Sequence, residues 1–410
     1  MRPAESHLIE SGCEDLRDEM PVCEHYAYFD HAAVAPLPRC AAAAIQDYAA
    51  VAAEHGDAKW LDWAAKVGGL RTSLAGLLNC SSTEVALVNN TTQGINLIAE
   101  GIPWRKGDNL VVPNNEFPSN MLPWQSLERL GVEVRQAEIG ADESVSVDDF
   151  APLIDDKTRL IAFSWVGFAS GYRADVDAIT QLAHEAGAMV LLDAIQGLGA
   201  FSLDVRQTPV DFVVADGHKW MLGPEGAGFL FIREELLDRL RPTGIGWNSL
   251  AHGAFDLKPG AHLLDSVKRD AARYEGGTTN MGGMLGFSQS VDLLLRCGLN
   301  ESRLSRSVLT NVARLEDELR LSEWEVLLPA DEKNRSGIVG LRRAHNAESA
   351  GGEADAALLI AARKHLLEAG IVTSVRAKRL RIAAHAYNNA DDIDRLVETL
   401  KDFAITKMKS

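Results

Sequence analysis

The chain has 410 residues, of which 46% are hydrophobic and 24% are charged. This composition is close to the globular average and excludes a disordered chain, a collagen-like fibre and a coiled-coil rod, while the length predicts two to three domains of roughly 150 residues each. The formal net charge of −17 at pH 7 argues against nucleic acid and anionic membranes as partners, because an acidic surface repels phosphate groups.

The beginning of the chain carries acidic residues and no apolar core run, which is not the pattern of a signal peptide. No stretch reaches about 18 uninterrupted apolar residues, so we expect no membrane span. The cysteines are odd in number and have no C-x-x-C spacing, which argues against a disulfide framework and a zinc ribbon. They are Cys13, Cys23, Cys40, Cys80 and Cys297. We therefore expect reduced thiols in a cytoplasmic protein without a metal site.

Seven apolar runs alternate with helical patterns between about residues 28 and 253. The predicted strands are Val85–Val88, Leu110–Pro113, Val132–Arg135, Leu160–Phe163, Met189–Leu192, Phe212–Ala215 and Gly228–Ile232. The predicted helices among them are Gln93–Ala99, Met121–Leu130 and Val176–Ala186. Continuous apolar strands that alternate with helices predict a mostly parallel sheet covered on both faces. The turn between the last two strands is too short for a crossover helix, so we expect that pair to be antiparallel.

The remainder of the chain predicts an extended arm over residues 254–280, a long helix from Met284, and then a smaller α+β domain. The elements predicted after that helix are a helix at Leu304–Leu319, strands at Trp324–Leu328, Gly337–Leu341, Val372–Val375 and Leu380–Ala383, and helices at Ala354–Ala369 and Ala390–Leu400. We therefore divide the chain into an N-terminal segment, 1–27, that packs with the small domain, a large domain, 28–283, and a small C-terminal domain, 284–410.

Two ionisable side chains stand directly beyond predicted strands. Lys219 closes the sequence Asp216-Gly217-His218-Lys219, and Asp193 ends the run Met189–Leu192. Taken alone, the lysine would be an exposed loop residue and the acid a helix cap. In an open α/β sheet, however, ligands bind at the carboxyl ends of strands. Together the two residues suggest a carboxylate that faces a cationic ring nitrogen and a lysine that can form a Schiff base.

Two further segments occupy similar positions. Asn90-Thr91-Thr92-Gln93-Gly94 lies between a strand and a helix, where hydroxyls and free N–H groups form an anion site or an ordinary cap. Glu116-Phe117-Pro118-Ser119-Asn120 follows another strand. Its aromatic ring can stack on a flat ligand or belong to the core.

These segments, together with Glu275-Gly276-Gly277-Thr278-Thr279-Asn280, resemble the class V aminotransferase group over about residues 26–400. The group consists of fold type I pyridoxal-phosphate enzymes and includes cysteine desulfurases, selenocysteine lyase, kynureninase and isopenicillin N epimerase. The resemblance implies an α/β fold with a mostly parallel sheet in the large, cofactor-binding domain and a smaller α+β C-terminal domain.

The resemblance also implies roles for individual side chains around pyridoxal phosphate. Lys219 is expected to carry the cofactor covalently and to move protons at the substrate's α and β carbons. Asp193 is expected to keep the pyridine nitrogen protonated, and Gln196 to hydrogen-bond the ring's 3′-oxygen. The other cofactor residues that it implies are Phe117 beside the ring, and Thr91, Thr92 and His218 at the phosphate.

Three residues are expected to act on the substrate or across subunits. Arg381 matches the arginine that clamps the substrate α-carboxylate, for which a planar guanidinium is well suited; without the resemblance it would be a solvated edge-strand charge. We also assign His31 to substrate binding. Thr278 is expected to reach the phosphate of the other subunit, which implies a homodimer with shared sites.

The chain departs from the desulfurase pattern in four places. Phe117 replaces a histidine that stacks on the ring, and Phe168 replaces an asparagine near the ring. Asp216 replaces a phosphate-binding serine, and because a carboxylate repels phosphate we do not assign it as a ligand. The stretch from residue 371 to 381, where desulfurases carry their persulfide-forming cysteine on a loop, is short and contains no cysteine.

We therefore predict an enzyme that acts on a small α-amino acid as a cysteine desulfurase-like or C–S lyase without a persulfide on its own cysteine. An aminotransferase and an amino-acid epimerase are the alternatives within the group. A catalytically silent regulator or scaffold that binds pyridoxal phosphate is the alternative of another class. The retained Lys219, Asp193 and Arg381 argue against it, because a scaffold does not need them.

Overall fold

The computed structural model describes residues 13–252, 262–343 and 353–408. The large domain is built on a seven-stranded sheet, and every predicted strand of this region is present. In chain order its strands are Val85–Val88, Asn109–Pro113, Glu133–Ala137, Thr158–Ser164, Met189–Asp193, Phe212–Asp216 and Gly228–Ile232. Most of their residues are buried, because the sheet has apolar cores on both faces. The exception is the edge strand Glu133–Ala137, in which only Ala137 is buried.

The order of the strands places the site-bearing strands in the middle of the sheet. The spatial order begins with Val85–Val88, Gly228–Ile232, Phe212–Asp216 and Met189–Asp193, and the remaining three strands continue in parallel. Gly228–Ile232 is antiparallel to both of its neighbours. The mostly parallel sheet with an antiparallel final pair is therefore confirmed.

Helices cover the two faces of this sheet. The longer ones are Arg39–His55, Trp60–Leu78, Thr91–Gly101, Val176–Glu185 and Met281–Arg296, and the short ones are Glu14–Asp18, Leu122–Gln125, Val147–Phe150 and Glu234–Leu237. The single helix predicted at Met121–Leu130 is instead one α-helical turn that passes into a 3-10 helix at Ser126–Leu130. Within the described ranges, every helix is too short or too polar to span a bilayer.

The helix Met281–Arg296 spans our predicted domain boundary. It packs against Arg39–His55 and Trp60–Leu78, two helices for which we predicted no bounds. A Cβ on Gly286 would lie 2.8 Å from Ile45 Cδ1, so this glycine permits the close packing. The helix starts three residues earlier than expected because the Asn280 side chain accepts a hydrogen bond from the Gly283 N–H. The boundary predicted between residues 283 and 284 therefore falls inside a helix.

The small domain has a four-stranded antiparallel sheet and its own apolar core. Its strands, in spatial order, are Ser374–Arg376, Arg379–Ala383, Ile338–Arg343 and Trp324–Leu327, and its helices are Arg303–Leu319, Glu353–Glu368 and Ala390–Met408. The strand predicted at Val372–Val375 is divided in two. Its first part, Ile371–Val372, pairs in parallel with Ala27–Tyr28 instead of joining this sheet.

The described part of the N-terminal segment contacts the small domain. The Cys13 N–H donates to the Ala386 carbonyl at 2.8 Å, and Arg17 forms an ion pair with Asp392 at 2.8 Å. Of the predicted extended arm, residues 254–261 lie outside the described residues. Residues 262–280 contain two 3-10 turns, Leu263–Ser266 and Ala271–Tyr274, so this part is more compact than expected.

Candidate active site

A cavity of about 310 Å³ lies at the carboxyl edge of the large sheet, between that sheet and the small domain. Eight of the ten predicted site residues line it: Thr91, Thr92, Phe117, Asp193, Gln196, His218, Lys219 and Arg381. A larger cavity of about 740 Å³ beside Arg173 and Asp204 contains none of them. The tertiary structure thus brings together residues that are up to 290 positions apart in the chain.

Lys219 is held in a rigid turn directly beyond the strand Phe212–Asp216. The Gly217 N–H donates to the Ala227 carbonyl at 2.8 Å, and the Ala35 N–H donates to the His218 carbonyl at 2.7 Å. Lys219 itself is 9% exposed. Burial lowers the pKa of its ammonium group to about 8, although the Asp193 charge opposes that decrease. A neutral amine, which can act as a nucleophile or a base, is therefore accessible near neutral pH.

Asp193 ends the neighbouring strand and is 3% exposed. One of its oxygens accepts the Ile195 N–H at 3.1 Å. Burial raises the pKa of this carboxyl to about 6, and both the Ile195 N–H and the Lys219 charge oppose the increase. A cationic ring nitrogen beside Asp193 would stabilise the carboxylate further.

The amide of Gln196 is fixed at both ends. Its Nε2 donates to the Ala32 carbonyl at 3.0 Å, and its Oε1 accepts the Trp220 indole N–H at 2.9 Å. Since an amide nitrogen has two hydrogens, Nε2 retains a second one for a ligand.

Glu116, which we quoted only as a neighbour of Phe117, does not line the cavity but holds a residue that does. Its two carboxyl oxygens accept the Ser164 N–H at 2.6 Å and the Ser164 hydroxyl at 2.5 Å. Ser164 lines the cavity and pairs in register with Asp193. Burial raises the pKa of Glu116 to about 7, and the Asp193 charge adds to the increase. The sequence did contain a signal for Glu116, because this residue is a carboxylate just beyond the end of a strand.

One wall of the cavity offers polar atoms that have no hydrogen-bond partner within the described ranges. They include the Thr91 hydroxyl, Asp216 Oδ1 and His218 Nδ1. Thr91 also opens the helix Thr91–Gly101, whose first turn carries free N–H groups. The Thr92 hydroxyl beside it donates to Ser119 Oγ at 2.7 Å. A helix N-terminus with an unpaired hydroxyl is suited to an anion such as phosphate.

Two aromatic rings form the outer wall. Phe117 and Phe168 pack edge to face with centroids 5.4 Å apart, and Lys219 Nζ lies 5.6 Å from the Phe117 centroid. Phe117 is 44% exposed. It is therefore not a core residue, which was the alternative that the sequence left open.

Arg381 lies on an inner strand of the small sheet and is only 2% exposed, so it is not a solvated edge charge. Its guanidinium contacts Asp30 Oδ1 at 3.2 Å, the Phe168 carbonyl at 2.9 Å and Ser374 Oγ at 3.2 Å. Arg376, which we did not predict, lines the same cavity. Two guanidinium groups can therefore face an anionic substrate.

His31 is not among the residues that line the cavity, so its assignment to the substrate stays a prediction. It is fully buried, and its two ring nitrogens contact the Ala383 carbonyl at 2.8 Å and the Tyr387 hydroxyl at 2.6 Å. Its ring packs against those of Trp220 and His385. With both nitrogens engaged, its role is to connect the N-terminal region to the small domain.

Thr278 also lies outside this cavity. It lines a separate one of about 220 Å³, together with Trp60 and Trp247, whose side chains are 41% and 47% exposed. Within one chain it does not reach Lys219, so its predicted role depends on a second subunit.

We expected the chain to lack a cysteine-bearing loop between residues 371 and 381, and a two-residue turn occupies this region. The strands Ser374–Arg376 and Arg379–Ala383 are joined by Ala377 and Lys378 alone, which have φ angles of 45° and 59°. All five cysteines lie within the described ranges, and none of them lines the cavity. Among the described residues, no group of three His, Cys, Asp or Glu side chains is arranged to hold a metal ion.

Comparison with known proteins agrees with this geometry. Residues 27–396 match the family model described as "Aminotransferase class-V". A protein of Methanothermobacter thermautotrophicus named "Probable cysteine desulfurase" is 31% identical over 95% of this chain and 98% of its own length.

Two solved structures have the same fold. A cysteine desulfurase from Thermococcus onnurineus NA1 superimposes with a TM-score of 0.81 at 25% identity, covering 96% of this chain and 98% of that one. A cystine C–S lyase, solved with its reaction product cysteine persulfide, superimposes with a TM-score of 0.83 at 23% identity, covering 94% of this chain and 99% of that one. At 23% identity, the similarity to the C–S lyase establishes a shared fold and nothing more.

Proposed function

The chain belongs to the class V aminotransferase family, and we propose that it is a pyridoxal-phosphate enzyme that breaks the Cβ–S bond of a small amino acid without forming a persulfide on its own cysteine. The observation that carries the proposal is a cavity that contains Lys219, Asp193 and Arg381 but no thiol.

The cavity residues fit pyridoxal phosphate. The buried Asp193 would face the ring nitrogen, and Lys219 would hold the cofactor covalently. The Thr91 hydroxyl, which has no partner among the described residues, and the helix N-terminus beside it would bind the phosphate. When bound, the cofactor supplies an electron sink that acidifies the Cα–H bond of an amino acid.

The chain's own residues would supply the remaining functions. Arg381 would bind the α-carboxylate, since Asp30 and the Phe168 carbonyl fix the plane of its guanidinium. Lys219 Nζ would accept the Cα proton, because burial keeps its pKa near 8. Phe117 and Phe168 would exclude water from that side of the cavity.

The product distinguishes the proposed elimination from a desulfurase reaction. In elimination the electron pair of the Cβ–S bond leaves with sulfur, and one water molecule converts the remainder into pyruvate and ammonium. A desulfurase instead transfers sulfur to a protein thiolate and releases alanine, which requires a mobile thiol near the substrate. The turn Ala377–Lys378 leaves no chain for such an excursion.

The test is to incubate the holoenzyme with cysteine, cystine and S-substituted cysteines and to identify the products. We expect pyruvate, ammonium and a sulfur species, with unmodified protein thiols by mass spectrometry. A variant in which all five cysteines become alanine or serine should retain the activity. Alanine formation together with a one-sulfur mass increase on one cysteine would refute the proposal. Transfer of the amino group to a keto acid would favour the aminotransferase instead, and formation of a D-amino acid would favour the epimerase.

We further propose a cytoplasmic homodimer in which Thr278 of each subunit reaches the phosphate in the other. The exposed Trp60 and Trp247 beside Thr278 support this proposal, because large aromatic side chains are enriched in subunit interfaces.

A further inference from the structure

Asp216 is a buried carboxylate that the proposed reaction does not use. It is 3% exposed, and its Oδ1 has no hydrogen-bond partner among the described residues. Its Oδ2 lies 3.1 Å from His218 Nδ1, but the angle is outside that of a hydrogen bond, so Nδ1 is also unpartnered in the described chain. Burying a carboxylate without partners is costly, so this pair needs a function.

The backbone holds the pair in place. Asp216 is the last residue of its strand and pairs with Gly228. A Cβ added to Gly228 would lie 3.0 Å from the Asp216 Cα, so the two backbones are closely packed. The carbonyl of His218 is fixed by the Ala35 N–H at 2.7 Å. Both side chains line the cavity beside Thr91. The two side chains can therefore improve their mutual geometry by small rotations, but they cannot move away from the phosphate side of the cavity.

We propose that Asp216 positions the His218 ring, with Nδ1 toward the carboxylate and Nε2 toward the cofactor phosphate. The phosphate then faces the edge of the imidazole ring instead of a bare carboxylate. Asp216 is thus a positioning residue, and it takes over from the serine of the desulfurase pattern by acting through its neighbour.

The other charges around Asp216 and His218 are compatible with this arrangement of the two side chains. The Asp216 charge also raises the pKa of Lys219, while Arg381 and Arg376 across the cavity lower it. Asp193 is the remaining carboxylate in the lining, and it lies at the end of the adjacent strand. At 3.1 Å from Asp216 Oδ2, His218 Nδ1 is the side-chain nitrogen closest to this carboxylate for which a distance is established.

The test measures the binding of pyridoxamine 5′-phosphate to the cofactor-free protein by tryptophan fluorescence, from about pH 6 to about pH 9, the range in which a histidine changes charge. This probe forms no covalent bond with Lys219, so it reports on the phosphate site without any activity. The inference rests on the proposed function, and binding of the probe to the wild type tests that proposal separately.

Asp216→Asn should weaken binding by about ten- to hundredfold at pH 8, the range expected for a hydrogen bond to a charged group. Asp216→Ala should behave in the same way, which guards against misfolding of one variant. His184→Gln is the control. It removes a histidine that contacts Asp211 at 2.8 Å outside the cavity and should leave affinity unchanged.

A double variant separates action through His218 from a direct effect of Asp216. In a His218→Gln background, Asp216→Asn should cause no further loss and should even strengthen binding, because the carboxylate then only repels phosphate. The same loss in both backgrounds would overturn the proposal, as would an Asp216→Asn affinity equal to that of the wild type at every pH. If the wild type does not bind the probe, the cofactor assignment itself fails.

Discussion

Mild acid should destabilise the folded chain through His385, a fully buried histidine at the junction of the two domains. Its ring is stacked between Trp220 and Tyr387, with centroids 5.6 Å from each. Its Nε2 lies 3.0 Å from the Trp220 carbonyl, and its Nδ1 has no partner among the described residues. Burial lowers the pKa of His385 from 6.5 to about 4.

The size and sign of the effect follow from this shift. Between pH 6.5 and about 4, the unfolded chain binds the proton and the folded chain does not, so the free energy of unfolding decreases as the pH falls. An interval of about 2.5 pH units at about 1.4 kcal/mol per unit gives about 3 kcal/mol. Above pH 6.5 neither state binds the proton, so His385 no longer makes the free energy of unfolding depend on pH. Burial lowers the pKa of His31 as well, which adds to the loss in the same direction.

His385→Phe keeps an aromatic ring in the stack but cannot be protonated. It loses the bond to the Trp220 carbonyl, so we expect it to be about 1–3 kcal/mol less stable than the wild type near pH 7.5. Between pH 6.5 and pH 4, however, its stability should fall by about 3 kcal/mol less than that of the wild type. Urea unfolding monitored by tryptophan fluorescence measures both quantities. His55→Gln, at an exposed site, should follow the wild-type curve. Parallel curves for His385→Phe and the wild type would refute the reasoning.

Three further predictions concern the site itself. Lys219→Ala should abolish the covalent, borohydride-fixed cofactor, and a peptide map with the label on another lysine would contradict that role. Asp193→Asn should keep the fold but raise the barrier by about 2–4 kcal/mol; wild-type turnover would show that this carboxylate does not serve the ring. Lys219→Ala and Thr278→Arg subunits, each inactive alone, should partly recover activity when co-folded, because one site of the mixed dimer is intact. Verified heterodimers without recovery would count against a shared site.

Residues that the sequence predicted and the structure placed elsewhere show the limit of local patterns. His31 follows a strand-like run, as Asp193 does, but its ring turns away from the cavity to contact Ala383 and Tyr387. These partners are more than 350 positions away in the chain. Nothing within a short window of sequence distinguishes the two orientations, since they depend on which distant segment supplies a hydrogen-bond partner.

The predicted domain boundary falls inside the helix Met281–Arg296. This helix is buried on nearly all sides, so its sequence pattern does not show which domain it covers. The small residues Gly282 and Gly286 allow it to approach Tyr48 and Ile45 on the helix Arg39–His55. That second helix is rich in alanine, and its sequence indicated no more than a helical context for residues 41–44.

The sequence by itself determined the order of the strands in the large domain, the lysine and aspartate at two strand ends, and the absence of a cysteine between residues 371 and 381. These features are local, because they depend on apolar runs, turn lengths and residue types at element ends. Only the tertiary structure decided that Glu116 binds Ser164, that Arg376 joins Arg381, and that Asp216 and His218 meet in one wall. Burial, which shifts the pKa of both Lys219 and Asp193, arises from segments that meet only when the sheet and the small domain have packed together.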